Sequence, residues 1–140
     1  MHQNSQASIV VNQKEIEYLG NSLREIEQGI LKPGQKKGAN RVWFQGGEPY
    51  FDIFIEIIDG KIVWFQFTLR GKSLSWDVRR PKWQTGSTDE LKIDDVSFYA
   101  ASKTINNDSE VNWDFVNLTK SILAIRVEED IFSKILELYK

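Results

Sequence analysis

The stretch from residue 50 to residue 78 constrains the fold most, because apolar and polar residues alternate along three consecutive segments of it. Period-2 alternation is typical of a half-buried β-strand, whose successive side chains point to opposite faces of the sheet. Asp59-Gly60 and Arg70-Gly71 separate the segments, and Asp-Gly is a strong β-hairpin signal. We therefore predict three antiparallel strands joined by two tight turns.

The turn lengths decide which side chains share a face. At the first turn, a two-residue loop would mix apolar and charged residues on both faces. A three-residue loop ending at a left-handed Gly60 in a bulge sets Ile53 beside Phe65 and Ile55 beside Val63. We predict the three-residue loop there and a two-residue loop at Arg70-Gly71.

A fourth strand upstream completes the predicted sheet. Residues 41–45 precede a four-residue loop at 46–49, which sets Phe44 beside Phe51. All four strands then share one core face, and agreement among four segments supports the register better than any one of them. The predicted core face consists of Val42, Phe44, Phe51, Ile53, Ile55, Val63, Phe65, Phe67, Leu74, Trp76 and Val78.

The opposite face combines aromatic and charged side chains, and we call it the mixed face. In the predicted register Trp43 neighbours Asp52, while Trp64 neighbours both Phe54 and Asp77. Such a surface is neither a dry core nor an ordinary solvated surface. Its predicted members are Arg41, Trp43, Asp52, Phe54, Glu56, Trp64, Gln66, Ser75, Asp77 and Arg79.

Apolar residues at helical spacing flank the strands on both sides. Asn12 is predicted to cap a helix that ends at Pro33-Gly34, with an apolar stripe of Ile16, Leu19, Leu23, Ile26 and Ile30. Two further helices are predicted, one from Trp113 and one after the acidic residues 128–130, which suit a helix N-terminus.

These elements predict an α+β fold. We expect residues 1–140 to form a single two-layer domain, with residues 1–11 disordered or loosely docked. Its antiparallel meander sheet of four to six strands is expected to carry an N-terminal helix and two C-terminal helices on the apolar face. Residues 83–85 fit either a fifth strand or an edge continuation after Pro81. Residues 87–90 fit a capping box, and residues 96–103 an extended segment over the sheet.

Composition excludes several kinds of active site. The chain has no cysteine and one histidine, His2, so histidine-based catalytic triads and zinc sites cannot be assembled within it. It lacks the glycine motifs that bind phosphate. We therefore predict no catalytic residue, cofactor or metal. An acidic cluster at Asp89, Glu90, Asp94 and Asp95 lacks the ligand spacing of a calcium loop and is interpreted as a solvated turn.

The expected setting is cytoplasmic. No apolar run approaches the roughly 18 residues of a membrane span, and the first residues do not resemble a secretory signal. A cysteine-free chain suits a reducing compartment. The net charge of −2 disfavours nucleic-acid binding, which depends on neutralising phosphates.

Two alternative functions remain open. Asp52, Glu56, Trp64 and Asp77 could form a site for a small polar ligand or carbohydrate, with paired carboxylates as acid and base. Ion pairing of these carboxylates with Arg41 and Arg79 is the favoured interpretation. A basic and aromatic strip at Arg79, Arg80, Lys82 and Trp83 permits weak nucleic-acid binding.

The predicted function is protein interaction through the mixed face, with another protein or with a second copy. Aromatic residues together with arginine are typical of interface anchors. The alternative is that C-terminal segments cover this face and make Trp43, Phe54 and Trp64 a second small core. The predicted binding residues are Trp43, Asp52, Phe54, Glu56, Trp64, Gln66, Asp77 and Arg79.

Overall fold

The computed structural model describes residues 11–27, 39–88 and 105–140. Within these ranges the strands form one open antiparallel sheet, in which each strand pairs with the next along the chain. The α+β meander is therefore confirmed, with seven strands in the described part of the chain instead of four to six. The elements in chain order are α1 Gln13–Ser22, β1 Arg24–Glu25, β2 Asn40–Gln45, β3 Asp52–Ile58, β4 Lys61–Leu69, β5 Lys72–Asp77, β6 Arg80–Thr88, β7 Ile105–Asn107, α2 Trp113–Ala124 and α3 Asp130–Glu137.

The helices pack on one face of this sheet, as predicted. Phe132 of α3 lies 4.9 Å from Phe44, and Phe115 of α2 meets Phe67 edge-on at 6.2 Å, both measured between ring centroids. Burial of such large apolar surfaces is the main force holding the two layers together. The helical layer contributes Leu19, Leu23, Phe115, Val116, Ile122, Leu123, Phe132 and Ile135 to the common core.

The turn between β3 and β4 contains two residues, not the predicted three. Ile58 pairs with Lys61, and the turn residues Asp59 and Gly60 have φ values of 51° and 79°. Two left-handed residues are the mark of a type I′ turn, which matches the twist of the flanking strands. The extra residue comes later, where the pairing passes over Val63 in a β-bulge.

This bulge keeps the predicted faces intact although the predicted pairs are wrong. Ile53 pairs with Phe67 instead of Phe65. Phe44 pairs with Ile53 instead of Phe51, because the loop between β2 and β3 is longer than predicted. Each error is a shift of two residues, which leaves every side chain on its original face.

The turn between β4 and β5 is the predicted two-residue turn. Arg70 and Gly71 have φ values of 51° and 82°, and Phe67 pairs with Leu74 as predicted. The Arg70 side chain also donates through Nε and Nη2 to the Glu48 carboxylate, at 2.8 and 2.9 Å. The hydrogen bonds to Glu48 raise the pKa of Arg70. They join this turn to the loop before β3.

Most of the predicted core face is buried. Val78 is the clear error, because it lies in the turn after β5 and is 47% exposed. Val63 is only partly buried in its bulge, and Ile62 takes a core position instead. Val42 and Trp76 pack at the margin. The remaining predicted positions are buried as expected: Phe44, Phe51, Ile53, Ile55, Phe65, Phe67 and Leu74.

Helix α1 is shorter than predicted. Asn12 caps it, accepting a hydrogen bond from the Glu15 backbone N–H at 2.8 Å. The helix ends at Ser22, however, and the chain extends into β1. Pairing of β1 with the edge of β2 satisfies backbone groups that a longer helix would have satisfied internally. The amphipathic spacing of Leu19 and Leu23 suits both conformations.

The C-terminal helices begin close to their predicted positions. Residues 83–85 belong to β6, and Ser87 and Thr88 continue that strand instead of starting a helix. The predictions for residues 1–10, for Ile30 in the apolar stripe, and for the acidic cluster and extended segment within 89–104 lie outside the described residues. No helix in the described ranges combines the length and apolar character needed to cross a membrane.

Candidate interaction face

Strands β2 to β5 bring the predicted mixed face together. Trp43 lies opposite Phe54 in the pairing of β2 with β3, and Glu56 lies opposite Trp64 in the pairing of β3 with β4. Trp64 lies opposite Asp77, as predicted. The predicted neighbour pair of Phe54 and Trp64 is wrong, because the shift of two residues places Gln66 opposite Phe54.

Arg41 forms the central contact of this face. Its Nε and Nη2 donate to Oε2 of Glu56, at 3.2 and 2.9 Å. Its guanidinium carbon lies 5.5 Å from the centre of the Phe54 ring and 5.3 Å from that of Trp64, within the range of a cation–π interaction. Two rings and one carboxylate therefore fix the orientation of a side chain that is otherwise flexible.

Trp43 is held in a similar way. Its ring stacks on Phe54 with a centroid distance of 5.6 Å and an interplanar angle of 18°. Its Nε1 donates to Oδ1 of Asp52 at 2.9 Å. Trp43 and Asp52 are diagonal neighbours across β2 and β3, a separation that an indole side chain can span. The predicted contact is present even though the two residues are not directly opposite.

Asp77 and Arg79 form a pair at the end of the face. Arg79 donates to the Asp77 carboxylate from Nε, Nη2 and its backbone N–H, at 3.1, 2.9 and 2.9 Å. The side-chain hydrogen bond to Asp77 raises the pKa of Arg79. The Arg79 side chain is 76% exposed, so this pair lies at the surface. The predicted arginine pairing is confirmed for Glu56 with Arg41 and for Asp77 with Arg79, whereas Asp52 accepts a hydrogen bond from Trp43.

Burial divides the mixed face into a floor and a surface. Asp52, Phe54 and Glu56 are buried, at 3%, 7% and 1% exposure. Trp43 and Trp64 are partly exposed. The carboxylates of the floor thus orient the aromatic and guanidinium groups that reach the surface. Arg41, Gln66, Ser75 and Asp77 are also partly exposed.

Strand β6 extends the mixed face with Arg80 and Lys82 of the predicted basic strip and with Gln84. Arg80 pairs with Asp77, and Gln84 pairs with Ser75, so both lie on this side of the sheet. Lys82 shares their side by strand alternation. The alternate spacing of residues 80, 82 and 84 is compatible with one face of a strand, but Pro81 argued against a strand at this position.

Trp83, the aromatic residue of that predicted strip, lies on the other side. Its ring meets the ring of Tyr139 with a centroid distance of 4.5 Å, and it packs at the margin of the core. The structure therefore separates Trp83 from Arg80 and Lys82. An aromatic platform for nucleic-acid bases would need these groups on the same surface.

The C-terminal helices lie on the core face, so they do not cover the mixed face. Among residues 11–27, 39–88 and 105–140, no group of three or more His, Cys, Asp or Glu side chains converges as a metal site would require.

Comparisons with protein-family models, curated proteins and solved structures found no match.

Proposed function

We propose that this chain is a non-enzymatic protein-interaction module that binds another protein, or a second copy, through the mixed face. The observation that carries the proposal is the fixed position of Arg41 between the rings of Phe54 and Trp64, above the buried Glu56. Tryptophan and arginine are frequent interface anchors. Anchors that are already ordered lose less conformational entropy on binding. The cysteine-free composition supports a cytoplasmic setting for this activity.

The face is a better candidate than the edges of the sheet. Among the described strands, β1 and β7 at the two edges contain two and three residues. The part of β6 that extends beyond β7 carries Pro81 and Lys82, and its pairing with β5 is irregular. Short strands, proline, lysine and bulges all hinder the addition of a further strand. A partner is therefore expected to pack on side chains instead of extending the sheet.

The polar-ligand alternative has less support. A site that uses Asp52 and Glu56 as acid and base needs carboxylates that can reach a ligand. Asp52 already accepts a hydrogen bond from Trp43, Glu56 accepts two from Arg41, and both carboxylates are buried. These contacts indicate that the two carboxylates orient the surface groups Trp43 and Arg41.

A crosslinking experiment tests the proposal. A photoreactive residue at Gln66, on the mixed face, is expected to give a discrete crosslinked species in cells. The same residue at Lys120, exposed on α2, is expected not to give it. Light scattering over a wide dilution series then decides whether the partner is a second copy.

The tryptophans supply the matched variants. Trp64→Ala should weaken the association while the fold is retained, whereas Trp113→Ala, at an exposed position of α2, should leave it unchanged. A monomer at every concentration without a position-specific crosslink would refute the proposal. Unfolding of Trp64→Ala would show that Trp64 serves the core instead.

A further inference from the structure

The exposed charge of the mixed face is opposite in sign to that of the chain. The chain carries a net charge of −2. On this face, among the described residues, the exposed charged side chains are Arg24 on β1, Lys61 at the start of β4, Arg79 in the turn, and Arg80 and Lys82 on β6. Arg24 is placed here by its pairing with Gln45, which follows Arg41 and Trp43 on the same side of β2. The carboxylates of the face are buried or, in the case of Asp77, paired with Arg79.

The aromatic and cationic parts of the face adjoin each other. Trp64, Asp77 and Arg80 occupy one row across β4, β5 and β6. Neighbouring strands lie about 4.8 Å apart, so the Trp64 ring and the Arg80 side chain are accessible to one ligand of modest size. A ligand that covers this row would contact the apolar Trp64 ring on one side and the exposed Arg80 on the other, with Lys82 nearby on the same strand.

We propose that the mixed face binds an acidic protein segment, whose carboxylates meet Arg80 and Lys82 and whose apolar side chains pack on Trp43 and Trp64. This inference rests on the interaction function proposed above and adds the chemistry of the partner. Complementary charge selects a partner and speeds its association, while buried aromatic contacts supply most of the affinity.

A second copy of the chain fits this face less well than an acidic partner. A symmetric dimer would bring the same face of two copies together. The described carboxylates of that face are Asp52 and Glu56 in the floor and Asp77 in its pair with Arg79. On the described part of the opposing face, the exposed Arg80 and Lys82 would meet only the partly exposed carboxylate of Asp77, which is already paired with Arg79. Like charges would then lie close together, which is unfavourable.

Nucleic acid also fits less well, although it too is anionic. Binding of single strands combines cations with aromatic rings on which bases stack. Trp83 is packed against Tyr139 on the other side of the sheet, and Trp43 is stacked on Phe54. One face of the Trp43 ring is therefore occupied by Phe54, and Trp83 lies away from the exposed cations, which leaves fewer rings beside those cations on which bases could stack.

Selection from a random library of 12-residue displayed peptides tests this inference. We expect peptides enriched on the full chain to carry a net negative charge together with apolar residues. The double variant Arg80→Glu/Lys82→Glu should bind these peptides at least about tenfold more weakly, which corresponds to about 1.4 kcal/mol for the loss of two rim contacts. The control Lys14→Glu/Lys120→Glu makes the same charge change on exposed helical positions and should bind them almost unchanged.

The outcomes separate this inference from the proposed function. Enriched peptides without acidic excess, or binding that survives charge reversal but is lost in Trp64→Ala, would refute the acidic partner and retain the interaction face. Binding that is insensitive to both changes would refute both proposals. Tighter binding of a 20-nucleotide oligothymidine than of the peptides would assign the face to nucleic acid. A stable dimer that dissociates in Trp64→Ala would assign it to a second copy.

Discussion

The two faces of this sheet reach similar depths of burial with different chemistry. On the helix-covered face, Phe65, Phe67 and Leu74 are fully buried among apolar neighbours. On the mixed face, Asp52 and Glu56 are almost as inaccessible, at 3% and 1% exposure, yet they hold an indole and a guanidinium. Depth alone therefore does not distinguish a hydrophobic core from a polar floor.

This difference assigns the two faces different roles. Apolar burial contributes about 25 cal/mol for each Å² removed from water. A buried ion pair contributes little or nothing net, because desolvation offsets the attraction between its charges. The core face is thus expected to supply stability, whereas the mixed face supplies a fixed arrangement of surface groups. Variants on the two faces should consequently differ in what they change.

The largest effect is expected on the core face. Phe67 is fully buried and contacts the rings of Phe51 and Phe115, at 5.6 and 6.2 Å between centroids. Phe67→Ala removes these contacts and leaves a cavity, so it should lower the free energy of unfolding by about 3–5 kcal/mol. Urea denaturation of the variant measures this loss. Trp113→Ala, at an exposed aromatic position, should change it by less than about 0.5 kcal/mol.

An intermediate effect is expected from the ion pair of the mixed face. Glu56→Leu leaves the Arg41 guanidinium without its carboxylate beside two rings, and it should lower the free energy of unfolding by about 2–3 kcal/mol. The double variant Arg41→Met/Glu56→Leu removes both charges together and should recover at least half of that loss. The comparison of faces fails if the double variant is as unstable as Glu56→Leu, because the pair would then be needed for stability.

Alternation along the strands was enough to predict the two faces, but not the pairs within them. An extra residue in the β3–β4 ladder was predicted at Gly60, whereas it lies at Val63. An extra residue at either position keeps the side chains on the same faces. Only the packing of the side chains against their neighbours decides between the two positions. The contact of Trp43 with Asp52 was predicted from a register that placed the two residues directly opposite each other. The register in the structure differs by two residues, which makes them diagonal neighbours that still form the hydrogen bond.

The structure departs from the predicted elements where distant segments of the chain interact. The spacing of Leu19, Leu23 and Ile26 fits a helix. Helix α1 nevertheless ends at Ser22, because the following residues pair with the edge of β2 as strand β1. Strands β1 and β7 are too short to show a period. The position of Arg80 on the mixed face required knowledge of the turn after β5, which no local pattern supplies.

The smallest effect is expected from a neutral polar pair on the helix-covered side, which sharpens the contrast with the charged pair of Arg41 and Glu56. The Tyr139 hydroxyl lies 2.7 Å from the hydroxyl of the buried Thr119. Tyr139→Phe removes this hydrogen bond and should lower the free energy of unfolding by about 1 kcal/mol at pH 7.

The dependence of stability on alkaline pH tests whether the hydroxyl of Tyr139 stays neutral in the folded chain. Burial raises the pKa of Tyr139 above its ordinary value, so the folded chain holds the phenolic proton to higher pH than the unfolded chain does. The contribution of the neutral hydroxyl is fully present below the unfolded pKa of about 10 and is lost as the pH rises above it. The free energy of unfolding should therefore fall more steeply above about pH 10 in the parent chain than in Tyr139→Phe. The stability advantage of the parent chain over Tyr139→Phe should consequently become smaller as the pH rises. Parallel curves would show that Tyr139 ionises as freely in the folded chain as in the unfolded one, which would contradict a neutral pair of the partly buried Tyr139 with the buried Thr119.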